Sequence, residues 1–320
     1  MAEAGALAAI AVVSYEEPEL LAACLRSLEA DARSGLTEVW VVDNASSDGS
    51  PEMVRERFPW VSLIALEHNA GYGAAVNLVS ERTETPWLVA ANQDVVVQPD
   101  ALRMLLAAGE AHPRAGAVTP RLIGLDGHQQ DSVQPFPTVW VTAVYNLRLH
   151  RLSRRLADRV CLEGRWDRER PREVPWAFAA FLALRREAFE AVGGFDPSQW
   201  LHAEDLDLAW RLAGAGWATR YEPSAAVRHV GSVSTRKAFG DLERRYMAAS
   251  YAWMARRRGL AVARVVAAMN VAGEGARWLV LSLVSALSAG RHGASAQHHR
   301  RWARVHAVGL GRREKLLGRY

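Results

Sequence analysis

The chain has 320 residues, half of them hydrophobic and 23% charged, a balance that excludes intrinsic disorder and fibrous repeats and allows one large domain with an appendage or two smaller ones. A net charge of +4 hides an asymmetry: residues 241–320 hold 15 Lys/Arg against 4 Asp/Glu, or +11, which leaves the first 240 residues at −7. With only Cys24 and Cys161 there is no disulfide framework and no thiolate zinc site, so a reducing, cytoplasmic setting is expected.

The N-terminus, MAEAGALAAIAVVSY, lacks the basic start and cleavage pattern of a signal peptide. The longest nearly apolar stretch, 278–289, has 12 residues where a bilayer needs about 20, so no spanning helix is expected.

Short β-rich runs at 8–14, 37–42, 61–66, 87–92 and 115–119 alternate with helical spacing at 18–32, 51–58, 74–84 and 99–111, the pattern of βαβ units and a mostly parallel α/β sheet. Pro18, Pro51 and Pro99 stand where a first helical turn tolerates proline. Residues 124–173 break the alternation and read as a variable insertion. A buried strand at 176–184, a short helix stopped by Gly193-Gly194, a helix at 204–213, strands at 217–221 and 225–229 and a helix at 239–258 follow.

In an open α/β sheet, ligands bind beyond the carboxyl ends of the strands, and here those ends carry unusual polar loops. Asp43, in DNASSDGS, can accept the imide N–H of uracil or thymine, or belong to a turn rich in caps. The glycine-rich NAGYGAAV suits a phosphate or a sugar hydroxyl, or simply needs positive φ; as a dinucleotide fingerprint it fails, with Val76 at the third glycine. Asp94, in Asn92-Gln93-Asp94, is a candidate ligand for a divalent cation bridging to phosphates, or a turn aspartate. Glu204, Asp205 and Asp207 crowd one helix start; capping accounts for one or two, and crowding raises the pKa of a candidate general base. His229, followed by the hydroxyls and cations of Ser232 to Lys237, makes a diphosphate clamp or a structural histidine.

Taken in order, VVSYEEP, VVDNASSDGS, NAGYGAAVN, NQD, VGGFDP, AEDLDLAWR and the HVGS turn resemble glycosyltransferase family 2 over about residues 8–240, nearest its bacterial rhamnosyltransferase-like members acting on lipid-linked glycans. The resemblance implies an inverting, metal-dependent enzyme with the GT-A fold, using Mg2+ or Mn2+ and a dTDP-rhamnose or UDP-sugar donor. It implies a catalytic domain over 1–240, with a donor half near 1–120 and an acceptor half near 174–240, before a basic helical region over 241–320. By position, Tyr15 would stack on the base and Asp43 contact it, and Asn69, Gly71 and Asn77 would line the nucleotide-sugar pocket. Asn92, Gln93 and Asp94 would stand at the DXD element with Asp94 on the metal, His229 beside metal or diphosphate, Trp176 on the acceptor side, and Asp205 of the Glu204-Asp205 pair as base. The sequence departs at Asn92 (acidic in the family), Gln93 (often proline) and Ala179 (usually glycine).

A nucleotidyltransferase would need a basic triphosphate loop after the first strand, where VVSYEEP is acidic. A non-catalytic nucleotide-sugar-binding subunit is the other alternative. The basic C-terminal residues, with Trp253, Trp278 and Trp302 as anchors, fit helices lying on the inner face of the cell membrane, or a basic helical cap packed on the catalytic domain or on a second subunit. Nucleic-acid binding is not expected, and a homodimer is compatible with the composition.

Overall fold

Strand β1 (Ala8–Ser14) is buried along its whole length because alternate residues enter two different apolar layers, Ala8, Ile10 and Val12 on one face and Ala9, Ala11 and Val13 on the other. In this computed structural model, which describes residues 5–199, 202–231, 242–288 and 291–317, that strand is the centre of a three-layer α/β arrangement. Helices α1 (Pro18–Arg33) and α4 (Ala101–Glu110) cover the first face with Leu21, Leu25, Leu28, Leu102 and Leu105. Helices α3 (Tyr72–Ser80), α8 (Arg186–Ala191) and α9 (Glu204–Gly214) cover the second with Val76, Val79, Phe189, Leu208 and Leu212. Each fully buried Leu or Val contributes about 1.5–3 kcal/mol, so both faces must stay closed for the sheet to persist.

The sheet is mixed, with a parallel block at one end and antiparallel pairings beyond it. Strands β2 (Thr37–Asp43) and β4 (Trp87–Asn92) flank β1 in parallel, and β3 (Ser62–Ala65) extends β2 in parallel. Beyond β4, the strand β10 (Phe181–Arg185) runs antiparallel to both β4 and β6 (Ala115–Ile123). The long strand β11 (Ala218–His229) pairs parallel with β6 and antiparallel with β5 (Val95–Val97) and β8 (Arg172–Val174).

Several elements differ from the sequence reading. Pro99 lies before α4 rather than in its first turn, because Asp100 at positive φ is the cap. The strands expected at 217–221 and 225–229 are one strand, with a register shift between Glu222 and Ala226. The strand expected at 176–184 is split into β9 (Trp176–Ala177), which pairs with β7 (Val133–Gln134), and β10. The break falls at 178–180, where the backbone serves the site described below.

The chain divides into two compact units, Met1–Gln134 with Asp167–Ala238, and Pro135–Trp166 with Phe239–Tyr320. Most of the insertion therefore belongs with the C-terminal helices. The second unit contains α5 (Val139–Asn146), α6 (Leu149–Leu152) and α7 (Arg154–Val160), then helices Leu242–Arg257, Leu260–Leu287, Gly293–His306 and Arg313–Leu317. Its interior is polar in places. Buried Glu274 accepts hydrogen bonds from Arg277 and His299 Nδ1, both at 2.6 Å. Arg277 and Asn270 also bond Asn146, and Asn270 donates to the Tyr251 hydroxyl, which meets His306 Nδ1 at 2.9 Å. Burial lowers His306 to about 4, which keeps its ring neutral beside the Tyr251 hydroxyl. Trp253, expected at an interface, is instead fully buried, because its helix turns that side inward with Tyr251 and Met254. Among the described residues no helix is long and apolar enough to cross a membrane.

Candidate active site

Strand register brings the polar strand ends to one edge: Ser14 lies opposite Asp43, and Val13 opposite Asn92. Backbone strain collects there too. Glu16, Glu17 and Ala45, in the loops after β1 and β2, and His202, just before α9, all hold positive φ without being glycine.

The first two loops are tied together. Asp43 is 1% exposed and accepts the backbone N–H of Ser46 at 2.9 Å and its hydroxyl at 2.6 Å. Burial raises the Asp43 carboxyl above its ordinary value, and the two Ser46 bonds oppose that rise. Glu16 receives the N–H and hydroxyl of Ser47, and its own N–H reaches Ser46 Oγ at 2.8 Å. Buried Gln93 accepts from the Ser14 hydroxyl and Tyr15 N–H and donates to the carbonyls of Tyr15 and Glu16. Gln93 therefore holds the loop that carries Tyr15, with its whole amide directed at protein groups.

Pairing of β5 with β11 sets His229 opposite Val95, next to Asp94. Gly231 N–H donates to Asp94 Oδ2 at 2.9 Å, and Asp94 Oδ1 lies 3.4 Å from His229 Nε2. Gln130 fixes the imidazole: its Nε2 donates to the His229 carbonyl at 2.9 Å, which leaves its Oε1, 2.8 Å from His229 Nδ1, to accept a ring proton. In the neutral ring the Nε2 lone pair then faces both Asp94 Oδ1 and the side-chain amide of Asn92, whose Nδ2 also lies 3.4 Å away. An oxygen and a nitrogen donor side by side form a set that Mg2+ or Mn2+ accepts, and the second partner of the imidazole is of the kind that orients metal-binding histidines. Among the described residues no three His, Cys, Asp or Glu side chains are grouped to hold a metal by themselves.

The three carboxylates at the start of α9 separate into three environments. Asp207 is fully buried and paired with Arg211 Nε at 2.7 Å. Glu204, 7% exposed, accepts the Ala203 N–H at 2.8 Å. Asp205 is half-buried, with Oδ1 on the Leu206 N–H at 2.7 Å and Oδ2 on the Ala179 N–H at 3.4 Å. Burial raises both Glu204 and Asp205, the neighbouring charge of Asp205 raises Glu204 further, and backbone N–H groups oppose the rise at each carboxylate. Burial and mutual repulsion together disfavour two charges on the pair at once. Across from them, Tyr72 donates its hydroxyl to the Ala179 carbonyl at 2.5 Å. The Tyr72 hydroxyl is raised well above its ordinary value by burial and, less strongly, by the negative charges of Glu204, Asp205 and Asp94.

A family model, glycosyl transferase family 2, matches residues 9–193. An N-acetylglucosaminyl-diphospho-decaprenol L-rhamnosyltransferase of Mycobacterium tuberculosis is 32% identical over 254 residues, which cover 71% of this chain and 76% of the relative. The chain belongs to glycosyltransferase family 2. It is an enzyme of that class, a rhamnosyltransferase-like member, and the nucleotidyltransferase and non-catalytic alternatives fall away. Among solved structures, a mannosyltransferase from Pyrobaculum calidifontis in complex with GDP-Man and Mn2+ superposes with a TM-score of 0.60 at 19% identity, over 96% of this chain and 86% of that one. GalNAc-T7 with UDP, GalNAc and Mn2+ gives 0.54 at 14% identity, over 80% and 51%. At these identities the likeness is one of fold.

The remaining residues from the family pattern are distributed around the same edge. Gly71 caps α3 at φ 89°, and its N–H bonds Asn69 Oδ1 at 3.0 Å. Gly73 gives Phe195 room, since a Cβ there would stand 2.7 Å from the Phe195 Cβ. Asn77 engages the Phe195 backbone at both ends of its amide, at 2.9 and 3.0 Å, locking α3 to the GGFDP turn. Trp176 is 3% exposed, and the half-exposed ring beside it is Phe178, edge-on at 5.5 Å. The clamp expected from Ser232 to Lys237 lies outside the described residues. Tyr72 and Gln130 were not singled out in the sequence. An aromatic residue between two glycines was a usable signal for Tyr72; Gln130 sits in the insertion and meets His229 only through strand pairing.

Proposed function

We propose that the enzyme transfers rhamnose from dTDP-rhamnose, or a sugar from a related UDP-sugar, to a hydroxyl of a lipid-linked glycan with inversion at the anomeric carbon. The observation that carries this reading is the backbone at 179–180: the Ala179 carbonyl takes the Tyr72 hydroxyl, the Ala179 N–H reaches Asp205 Oδ2, and the Ala180 carbonyl takes the Asn92 N–H two residues before Asp94, so one segment links the cation-binding group to the proton acceptor. In this reading Tyr15 and Asp43 hold the pyrimidine, while Asn69, Gly71 and the start of α3 face the diphosphate and sugar. Asp94 and His229 Nε2 would hold Mg2+ or Mn2+, with diphosphate oxygens supplying the other donors. The cation supplies charge stabilisation for the leaving diphosphate.

The chain's own residues do the rest. Asp205, the carboxylate of its cluster most open to solvent, accepts the proton of the attacking hydroxyl; its raised pKa makes it a stronger base than an ordinary aspartate. A proton on the Glu204-Asp205 pair keeps the two charges from being present together. Tyr72 and the Leu206 and Ala179 amides fix the base relative to the broken strand at 178–180. The relative's decaprenol-linked substrate favours a membrane-borne acceptor, and the second unit would bring the enzyme to it as a peripheral protein.

Calorimetry with dTDP and UDP, with and without Mn2+, tests the donor site. Asp94→Ala is expected to abolish the Mn2+-dependent gain in affinity, and Asp43→Ala to weaken both nucleotides equally with or without metal. Equal losses in both variants regardless of metal would overturn the assignment.

A further inference from the structure

A surface helix of a water-soluble protein carries its charges outward. Helix Leu260–Leu287 does the opposite. Its charged residues are Arg264, Glu274 and Arg277, and the last two face inward as a pair. Its exposed side is apolar from end to end except for Arg264, and it widens into large side chains at the C-terminal end: Leu279 and Val280 are 61% exposed, Leu283 64% and Leu287 81%. Contiguous apolar surface on this scale marks an interaction site.

The spacing indicates the shape of what covers it. Val265, Ala268, Ala272, Ala276, Leu279, Leu283 and Leu287 are exposed and advance by 3, 4, 4, 3, 4 and 4 residues, an 11-residue repeat. That period lies close to the helix's own turn and drifts slightly in the right-handed sense, opposite to the 7-residue repeat of a left-handed coiled coil, so the stripe runs nearly along the axis. A straight stripe suits a plane better than a winding helix.

The neighbouring charges indicate its chemistry. Arg291, Arg300, Arg304, Arg312 and Arg313 are exposed on the segments that follow, as is Arg301, which pairs with Glu243 at 2.7 Å. The Arg300 guanidinium lies 5.4 Å from the centre of the Trp278 ring, beside the start of the large apolar patch. Half-buried Trp278 and Trp302 add rings of the type that settle at a lipid interface.

We infer that the outer face of helix Leu260–Leu287, through Leu279, Val280, Leu283 and Leu287, beds into an anionic lipid leaflet while the adjacent arginines engage its headgroups. This deepens the reading of a membrane-borne acceptor and rests on it for its biological sense, although the docking itself requires no sugar transfer.

Co-sedimentation of the full chain with vesicles of phosphatidylglycerol and phosphatidylethanolamine, against vesicles of phosphatidylcholine, tests it. The full chain is expected to bind the anionic vesicles at least tenfold better than the neutral ones. The double variant Leu283→Glu, Leu287→Glu is expected to lose at least tenfold of that binding, with an unchanged circular dichroism melt and unchanged calorimetric affinity for dTDP or UDP. Vesicle binding that survives both substitutions, or no binding by the full chain at low salt, overturns the inference. So does a dimer in solution, by light scattering, that the substitutions split, since a second copy would then be the cover. Loss of nucleotide binding in the unsubstituted chain would count against the transferase reading alone.

Discussion

The two units distribute polarity in opposite ways. In the α/β unit, apolar side chains close both faces of the sheet, and the polar groups gather at the carboxyl ends of the strands, where Asp43, Asp94 and Asp205 meet loops under backbone strain. In the helical unit, the Glu274, Arg277, His299 and Tyr251, His306 networks are inside, and the leucines at 279, 283 and 287 are outside. The first arrangement concentrates charge where a small polar ligand can reach it. The second leaves an apolar surface that water does not favour, which is understandable only for a protein that meets something other than water there.

The sharpest way to break the comparison is to remove one charge from each unit. Asp205→Asn is expected to lower the transfer rate by about 10²- to 10⁴-fold, with dTDP or UDP affinity changed less than about twofold by calorimetry; a variant keeping more than about a tenth of wild-type turnover would move the base to another group. Glu274→Ala leaves buried Arg277 and His299 without their shared carboxylate, and losing one partner of such a cluster costs about 3–5 kcal/mol. Thermal denaturation should show the helical unit melting first while nucleotide binding by the α/β unit persists at moderate temperature. A melt indistinguishable from wild type would mean the cluster contributes nothing.

How much of this could be read from the sequence follows from the same contrast. The parallel block from β1 to β4 was legible because β1 and β4, buried on both faces, read as continuous apolar runs, while the more open β2 and β3 keep the regular spacing between helical stretches, and the family pattern then brought Asp94, His229 and the Glu204-Asp205 pair into view. The long-range geometry was not legible. Nothing local in Gln130 announces that β11 will carry His229 to it, and nothing in Asn77 announces that both amide ends will serve Phe195. Trp176 carried the expected residue type, but pairing of β9 with β7 turned it inward and left the half-buried Phe178 as the more open ring beside it. In the helical unit, the +11 charge was visible as an excess of arginine, whereas burial of Glu274 and outward placement of Leu287 depend on which side of one long helix faces its neighbours.

Smaller effects sharpen the site further. Gln130→Leu removes the acceptor that fixes His229 Nδ1–H, and loss of such outer partners typically costs 10- to 100-fold in metal affinity. Titration of Mn2+ in the presence of dTDP should show at least the lower figure, with metal-free nucleotide binding unchanged and partial recovery in Gln130→Glu; equal weakening with and without metal would reduce Gln130 to a structural role. The smallest effect concerns pH. Because burial raises Glu204 and Asp205, the folded chain keeps protons that an unfolded chain has released above about pH 4, so the pair's contribution to stability declines as pH rises toward and through neutrality. Glu204→Gln, which mimics the protonated acid, should therefore gain in melting temperature relative to wild type as pH increases from 5 to 8. A difference that is flat or falls over that range would contradict the raised pKa.

The central claim is sugar transfer from a nucleotide donor by direct displacement. It is tested most directly by incubating the enzyme and Mn2+ with dTDP-rhamnose, and in parallel with UDP-sugars, on a lipid-linked N-acetylglucosaminyl diphosphate, and reading the product's anomeric configuration by NMR. The account predicts a glycoside of inverted configuration from one of these donors and none without Mn2+. Transfer with retained configuration, or no transfer from any dTDP- or UDP-sugar, would contradict it.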